Sequence, residues 1–300
     1  MKTPLIVILG SFGQVGWELR RSLAPLGTIV ALDRHSSGYC GDLSDLDGLR
    51  NGILTLRPTL IVNAAAYTAV DRAESEPELA NLINATAVGV IADAAREVGA
   101  ALVHYSTDYV FPGNGINAWR EDDETAPLSR YGRSKLEGER AIFESSCDAL
   151  ILRTSWVYAA RGNNFVRTML RLGQEREILS VVSDQIGAPT GAELIADVTA
   201  QVARQVLRTG DSWGVFHLAA TGTVSWYDYA CFVMERTRVL RGEKSLKVQK
   251  IVPIPTSHYP TPAKRPLNSR LNVSKLQRTF DVFLPPWQQG VLRVLEELLH

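Results

Sequence analysis

Leu5-Ile-Val-Ile-Leu9-Gly10-Ser-Phe-Gly13-Gln-Val-Gly16 is the stretch that decides the fold. Five consecutive apolar residues are too few for a signal-peptide core or a membrane span. Ended by a glycine, they read as a buried strand. The glycines at 10, 13 and 16 then lead into a helical stretch that runs to about Leu26. A G-x-x-G-x-x-G loop between a first strand and a first helix allows a tight turn and close backbone approach. The helix N-terminus behind it offers free N–H groups to a pyrophosphate. Gly10, Gly13, Gln14, Val15 and Gly16 are therefore candidate cofactor contacts. A tight strand-to-helix turn with no ligand would use the same glycines.

Outward from this loop, short apolar runs alternate with helical segments. Thr28–Leu32, Leu60–Ala65, Leu102–Ser106 and Leu150–Ser155 read as strands. Glu78–Val98, framed by Pro77 and Gly99, has the Pro-in, Gly-out signature of a helix. Such alternation predicts an α/β fold, a Rossmann-type doubly wound parallel sheet. We assign residues 1–156 to a dinucleotide-binding Rossmann domain and 157–300 mainly to a smaller, mixed substrate-binding part. Strands near 178–183 and 215–220 are expected to return to the main sheet. Helices are expected over Phe165–Leu172, Ala192–Leu207 and Trp287–Leu299.

Composition narrows the function by exclusion. The 300 residues carry 32 Lys plus Arg against 32 Asp plus Glu, so no net charge draws the chain to nucleic acid or to an anionic membrane. Cys40, Cys147 and Cys231 are odd in number and lack metal-type spacing, which suits a reduced cytoplasm. His35, His104, His217, His258 and His300 show no ligand spacing and receive no catalytic role.

In a doubly wound sheet the ligand lies at the carboxyl ends of the strands. Asp33 and Arg34 close the second strand. An acid there binds the 2'-hydroxyl of NADH, and an arginine accepts the 2'-phosphate of NADPH, so both cofactors remain open. Asp42 and Leu43 would edge the adenine, or else begin a helix. Ala65, Ala66, Tyr67 and Thr68 follow the third strand, where small residues let a dinucleotide lie against the backbone. Tyr131 and Lys135, four apart, share a helix face. An ammonium beside a phenol lowers the phenol's pKa, making Tyr131 the expected proton donor. Thr107, at a strand end, would hydrogen-bond the same carbonyl oxygen.

The glycine loop, Asn63-Ala-Ala-Ala, Ser106-Thr107 and Tyr131-x-x-x-Lys135 together resemble the extended short-chain dehydrogenase/reductase superfamily. More closely, the chain is similar nearly end to end to the family of dTDP-4-dehydrorhamnose reductases. The likeness is carried by Gly13-Gln-Val-Gly-Trp-Glu18, Ala69-Val-Asp-Arg-Ala-Glu-Ser75, Ser106-Thr-Asp-Tyr-Val-Phe-Pro112, Arg153-Thr-Ser-Trp-Val-Tyr158, Asp184-Gln-Ile-Gly-Ala-Pro-Thr190 and Arg265-Pro-Leu-Asn-Ser269. The resemblance implies reduction of the C4 ketone of a dTDP-linked 6-deoxyhexose by NADPH or NADH, in the supply of rhamnose for lipopolysaccharide O-antigen. It implies Tyr131 as donor, Thr107 polarising the oxygen, and Lys135 assisting. Thr107, Asp108, Tyr109, Trp156 and Arg265 would contact the sugar nucleotide. It also implies a homodimer around magnesium held by Glu18, Glu193 and Glu297. The related 4,6-dehydratases carry Thr-Asp-Glu where this chain has Thr107-Asp108-Tyr109, so the acid pair that drives water elimination is missing and simple reduction is favoured. Two alternatives stand beside this reading: a reductase of another nucleotide-linked 4-keto-6-deoxy sugar, and a non-enzymatic regulator like the regulatory subunit of methionine adenosyltransferase.

Overall fold

Six parallel strands form the central sheet of the computed structural model, which describes residues 3–300. In chain order the main elements are β1 (Leu5–Leu9), α1 (Gln14–Ser22), β2 (Thr28–Leu32), α2 (Leu46–Leu56), β3 (Leu60–Asn63), α3 (Pro77–Asn81) and α4 (Ala87–Val98). They continue with β4 (Ala101–Thr107), α5 (Arg130–Ser145), β5 (Ala149–Thr154), α6 (Phe165–Glu175), β6 (Ile178–Val182), α7 (Ala192–Thr209) and β7 (Gly214–His217). The chain closes with α8 (Trp226–Arg241), β8 (Lys250–Ile254), α9 (Ser274–Phe280) and α10 (Trp287–Leu299). Shorter turns and two-residue strands join these elements.

The sheet order is β7-β5-β4-β3-β1-β2, with Leu9 level with Leu32 on one side and Asn63 on the other. The continuous apolar runs follow from burial on both faces, as in any parallel sheet covered by helices. Ile6, Ile8, Val62, Val103, Leu152 and Phe216 point toward α1 and α7. Val7, Leu9, Ile61, Leu102 and Ile151 point toward α2, α4 and α5. Two glycines of the first loop are fixed by space. Gly10 has φ +77° and a Cβ there would lie 2.6 Å from the Ala65 nitrogen, while a Cβ on Gly16 would lie 2.0 Å from the Gly10 carbonyl oxygen.

The sequence reading of the later strands needs one correction. The segment at 214–217 joins the central sheet beside β5, but Ile178–Val182 does not. It pairs in parallel with β8 in a separate two-stranded sheet. Leu179 and Val181 there face a second core, built with Tyr229, Val233, Trp287 and Val291 from α8 and α10; the apolar side of the strand was legible, its partner was not. The helix expected over 78–98 is also interrupted. A π-helical turn, Leu82–Thr86, separates α3 from α4, the kind of bulge that re-aims a side chain. It carries Asn84 inward, where Nδ2 donates to the Tyr67 carbonyl and to Ser134 Oγ, both at 3.0 Å. Among the described residues no helix is long and apolar enough to cross a membrane.

Candidate active site

The strand order reverses at β1, since β2 lies to one side and β3 to the other. Ligands of open α/β sheets bind outside the carboxyl ends of the strands at such a switch point. A cleft of about 610 Å³ opens there. One end is lined by Gly10, Gly13, Gln14 and Val15, with Arg34, Asp42 and Leu43 beyond β2 and Ala65, Ala66 and Thr68 beyond β3. The other end is lined by Thr107, Asp108, Tyr109, Tyr131, Lys135, Trp156 and Trp226. The first helix enters this cleft with Gly13 at its N-cap and no side-chain cap, so its terminal N–H groups are open to an anion.

Each chemical side chain has a structural reason for its place. Ser129 caps α5 by accepting the Gly132 N–H at 3.2 Å, which starts the helix just before Tyr131. Glu139, two turns on, is pinned by Arg153 of β5. The Arg153 Nε reaches Oε1 at 2.9 Å and Nη2 reaches Oε2 at 2.6 Å, and Ser106 of β4 donates to Oε1 as well. Both members of this pair are buried, and the bidentate geometry fixes α5 against the two strands that end in the cleft. Thr107, the last residue of β4, accepts the Tyr109 N–H at 3.2 Å and donates to Asp108 Oδ1 at 3.1 Å. Thr107 and Tyr131 line the same end of the cleft, and the Thr107 hydroxyl favours the ionised phenol. Tyr109 meets the Tyr131 ring edge-on, centroids 5.6 Å apart.

The electrostatics correct the expectation for Tyr131. Its phenol is pushed up to about 12, not down: burial dominates, the Asp108 carboxylate adds to it, and only the Thr107 hydroxyl opposes it. The physical reason is the direction of Lys135. Its Nζ donates to the Tyr105 carbonyl at 2.6 Å and lies 3.1 Å from His104 Nε2. Shared helix face does not specify where a long side chain ends. Lys135 itself is drawn down to about 8, because burial outweighs the favourable charge of Glu139.

Asp108 is buried, its Oδ2 has no partner, and burial raises its carboxyl to about 6. Since the folded value lies above the unfolded one, this group favours the folded state at low pH and that advantage is lost as pH rises through about 6. Asp108→Asn should therefore be more stable than wild type at pH 8 by about 3 kcal/mol. The difference should vanish near pH 4. Urea denaturation at the two pH values measures it, and an equal gap at both would contradict the assignment.

Not every expected residue reaches the cleft. Gly16 supports the loop from behind, against the Gly10 carbonyl. Asp33 turns into its own loop, where Oδ1 accepts the His35 N–H at 2.9 Å and the Ser36 hydroxyl at 3.0 Å; Arg34 lines the cleft instead. The Tyr67 phenol donates to Glu76. The Arg265 guanidinium pairs with Asp71 at 2.8 Å, close enough to Tyr109 for its charge to be felt there. Glu18, Glu193 and Glu297 do come near one another, for Glu18 and Glu297 both raise the Glu193 pKa. Yet Arg293 takes Glu193 at 3.1 Å and Arg21 lies 3.7 Å from Glu18, and no metal-holding cluster occurs among the described residues. As placed, Glu18 and Glu193 are each paired with an arginine, and the three carboxylates do not gather into a magnesium cage.

Other residues at the site carried no sequence signal. Trp226, the first residue of α8, stacks on Trp156 with centroids 3.5 Å apart and donates its indole N–H to Gln185 at 3.1 Å. Trp156 itself holds φ +49°, a strained value for a bulky residue. His104, Glu139 and Asn84 were likewise silent, each a polar residue buried by tertiary packing alone.

The sequence profile of the family described as RmlD substrate binding domain matches residues 3–300. The dTDP-4-dehydrorhamnose reductase of Escherichia coli K12 is 57% identical over 293 residues, covering 98% of this chain and 97% of the relative. That of Burkholderia thailandensis is 46% identical over 298 residues, covering 98% and 99%. Among solved structures, the dTDP-4-dehydrorhamnose reductase of Bacillus anthracis in complex with NADP superimposes with a TM-score of 0.87 at 34% identity, covering 99% of this chain and all of that one.

Proposed function

The chain belongs to the RmlD substrate-binding-domain family, and from that membership we propose that it reduces the C4 ketone of dTDP-4-dehydrorhamnose to give dTDP-L-rhamnose, using NADPH. The observation that carries this reading is the convergence of Thr107 and Tyr131 on one end of a cleft whose other end is the glycine loop. The named function of the Escherichia coli and Burkholderia relatives and the NADP of the Bacillus anthracis structure support it. Reduction yields an activated sugar, whose consumer is a glycosyl transfer such as that of O-antigen assembly.

A dinucleotide fits the residues present, because the glycine loop has no room for side chains and α1 offers an uncapped N-terminus. The nicotinamide cofactor supplies the hydride; the protein supplies position and a proton. Gly10, Gly13, Gln14 and Val15 would hold the pyrophosphate, Asp42 and Leu43 the adenine, and Ala65, Ala66 and Thr68 the span between. Lys135 would meet the nicotinamide ribose. Thr107 donates to the ketone oxygen and polarises it. Tyr131 then gives that oxygen its proton. With a phenol held near 12, Tyr131 is protonated throughout neutral pH, and an alkoxide is basic enough to take the proton from it. Asp108, Tyr109 and the Trp156–Trp226 stack would receive the sugar nucleotide, with Arg265 at the rim.

Arg34 decides the cofactor. It faces the cleft while Asp33 is engaged in its own turn, and a guanidinium suits a 2'-phosphate. Arg34→Ala should raise KM for NADPH by about tenfold, the loss of one charge-assisted contact, and leave KM for NADH within about twofold. Steady-state kinetics with each cofactor reads this, and equal effects on both would remove Arg34 from the role. The reading includes a homodimer through the charged face that carries Glu18, Glu193, Arg21 and Arg293, which sedimentation of the full chain tests. The whole function is tested by incubating the protein with NADPH and dTDP-4-dehydrorhamnose: loss of reduced cofactor is expected, and no turnover with either cofactor would overturn it.

A further inference from the structure

His104 lies at the middle of β4 with no exposed surface, between two polar neighbours. On one side Asn63 Nδ2 lies 3.2 Å from its Nδ1. On the other, Lys135 Nζ lies 3.1 Å from its Nε2. An imidazole that is neutral carries one donor and one acceptor nitrogen, so which neighbour donates is a question with a definite answer.

Asn63 answers it. Its Oδ1 accepts the Ala65 backbone N–H at 3.1 Å. A backbone N–H can only donate, so the oxygen end of the amide must face Ala65 and the NH2 end must face His104. The His104 Nδ1 is then the acceptor, and the ring's single proton sits on Nε2. That N–H points at Lys135 Nζ. An ammonium has no lone pair to receive it, whereas a neutral amine does, and it can still donate to the Tyr105 carbonyl at 2.6 Å.

We propose that His104 is a positioning residue for Lys135: in the unliganded protein at alkaline pH it donates its Nε2 proton to the neutral Lys135 amine, and Asn63 enforces that state by fixing the ring tautomer. The surroundings agree. Burial depresses both groups, and the charge of Lys135 further disfavours a charge on His104. The groups facing Lys135 are His104 and the Tyr105 carbonyl from β4 and Glu139 on its own helix. The Glu139 carboxylate is the one charge favouring an ammonium, and its oxygens are already taken up by Arg153 and Ser106. Facing His104 are Asn63 from β3 and Lys135 from α5, while its neighbour across the ladder on β5 is the apolar Ile151. Once protonated from solvent, Lys135 has no lone pair for the ring N–H and turns from it toward other acceptors. Under the reductase reading, on which this step rests, those are hydroxyls of the bound cofactor.

The test uses the full chain labelled with 15N-histidine, without ligand and at pH 9, above the Lys135 value, and His104→Gln to assign the signal. Long-range proton–nitrogen correlation should show His104 protonated on Nε2 and bare on Nδ1. Asn63→Asp, nearly isosteric, accepts from both Ala65 and the ring, so the proton should move to Nδ1 and free Nε2 to accept from an ammonium. In that variant the alkaline limb of kcat/KM for NADPH should move up by about one pH unit, since a buried anion then supports the charged lysine. A wild-type ring protonated on Nδ1 would overturn the proposal, as would an inverted ring in Asn63→Asp with an unmoved alkaline limb. The ring measurement needs no turnover, so failure of the reductase reading would leave it standing and show in the assay alone.

Discussion

Tyr131→Phe should lower kcat by about 10²–10⁴-fold, the usual worth of a positioned general acid. NADPH binding, followed by fluorescence or calorimetry, should stay within about threefold, since under the proposed mechanism the phenol hydroxyl chiefly gives a proton. The half-buried phenol lines the cleft with Thr107 and Asp108. Asp108 is the nearest alternative, but its carboxyl titrates at about 6 and is ionised at pH 8. The residual rate of the variant should therefore rise as pH falls below 6, while that of wild type should not. A variant with full turnover would remove Tyr131 from the mechanism.

Arg153→Met should destabilise the fold by about 3–5 kcal/mol, because it strands the Glu139 carboxylate. The Arg153 and Glu139 side chains are 5% and 2% exposed, so water cannot replace the lost partner. Arg153 also packs over the Phe111 ring, 5.0 Å from its centroid, and Met would fill part of that volume. Adding Glu139→Gln should recover much of the loss, since the penalty belongs to the unpaired charge and not to the absent pair. Urea denaturation of the two variants measures both. The single variant should also lose activity at temperatures where it remains folded, because Glu139 holds the helix that carries Tyr131 and Lys135. If Arg153→Met unfolds at the same urea concentration as wild type, the pair has no structural role.

Much of this architecture was legible because a parallel sheet buries both faces. Runs such as Leu5–Leu9 and Leu60–Asn63 need no partner to be recognised, and the glycines at 10 and 16 are where any side chain would collide with the backbone. Ile178–Val182 was misplaced for the same reason in reverse: alternate burial marks a strand and says nothing of which sheet it joins. Helices α2 and α8 went unread. In α8 the polar and charged residues Asp228, Glu235, Arg236 and Arg238 interrupt the apolar ones, and its burial is set by three different neighbours, α6, α10 and the small sheet.

At the site, residue types were legible and directions were not. Tyr131 and Lys135 share a face as their spacing requires, but the ammonium ends against His104 and the Tyr105 carbonyl, and that reversed the expected effect on the phenol. Asp33 and Arg34 were ambiguous as neighbours, and one local hydrogen-bonded turn separates them. His104 lacks metal-ligand spacing; its importance comes from residues 41 and 31 positions away in the chain, which no local pattern encodes.

In the proposed reaction, Thr107 and Tyr131 present one ketone carbon to a cofactor lying along the glycine loop. This is tested most directly by supplying NADPH deuterated at the transferable position together with dTDP-4-dehydrorhamnose, and locating the label in the product by NMR. The expected result is a single deuterium on C4 of dTDP-L-rhamnose, with one configuration. An unlabelled product, or deuterium at any other carbon, would contradict it.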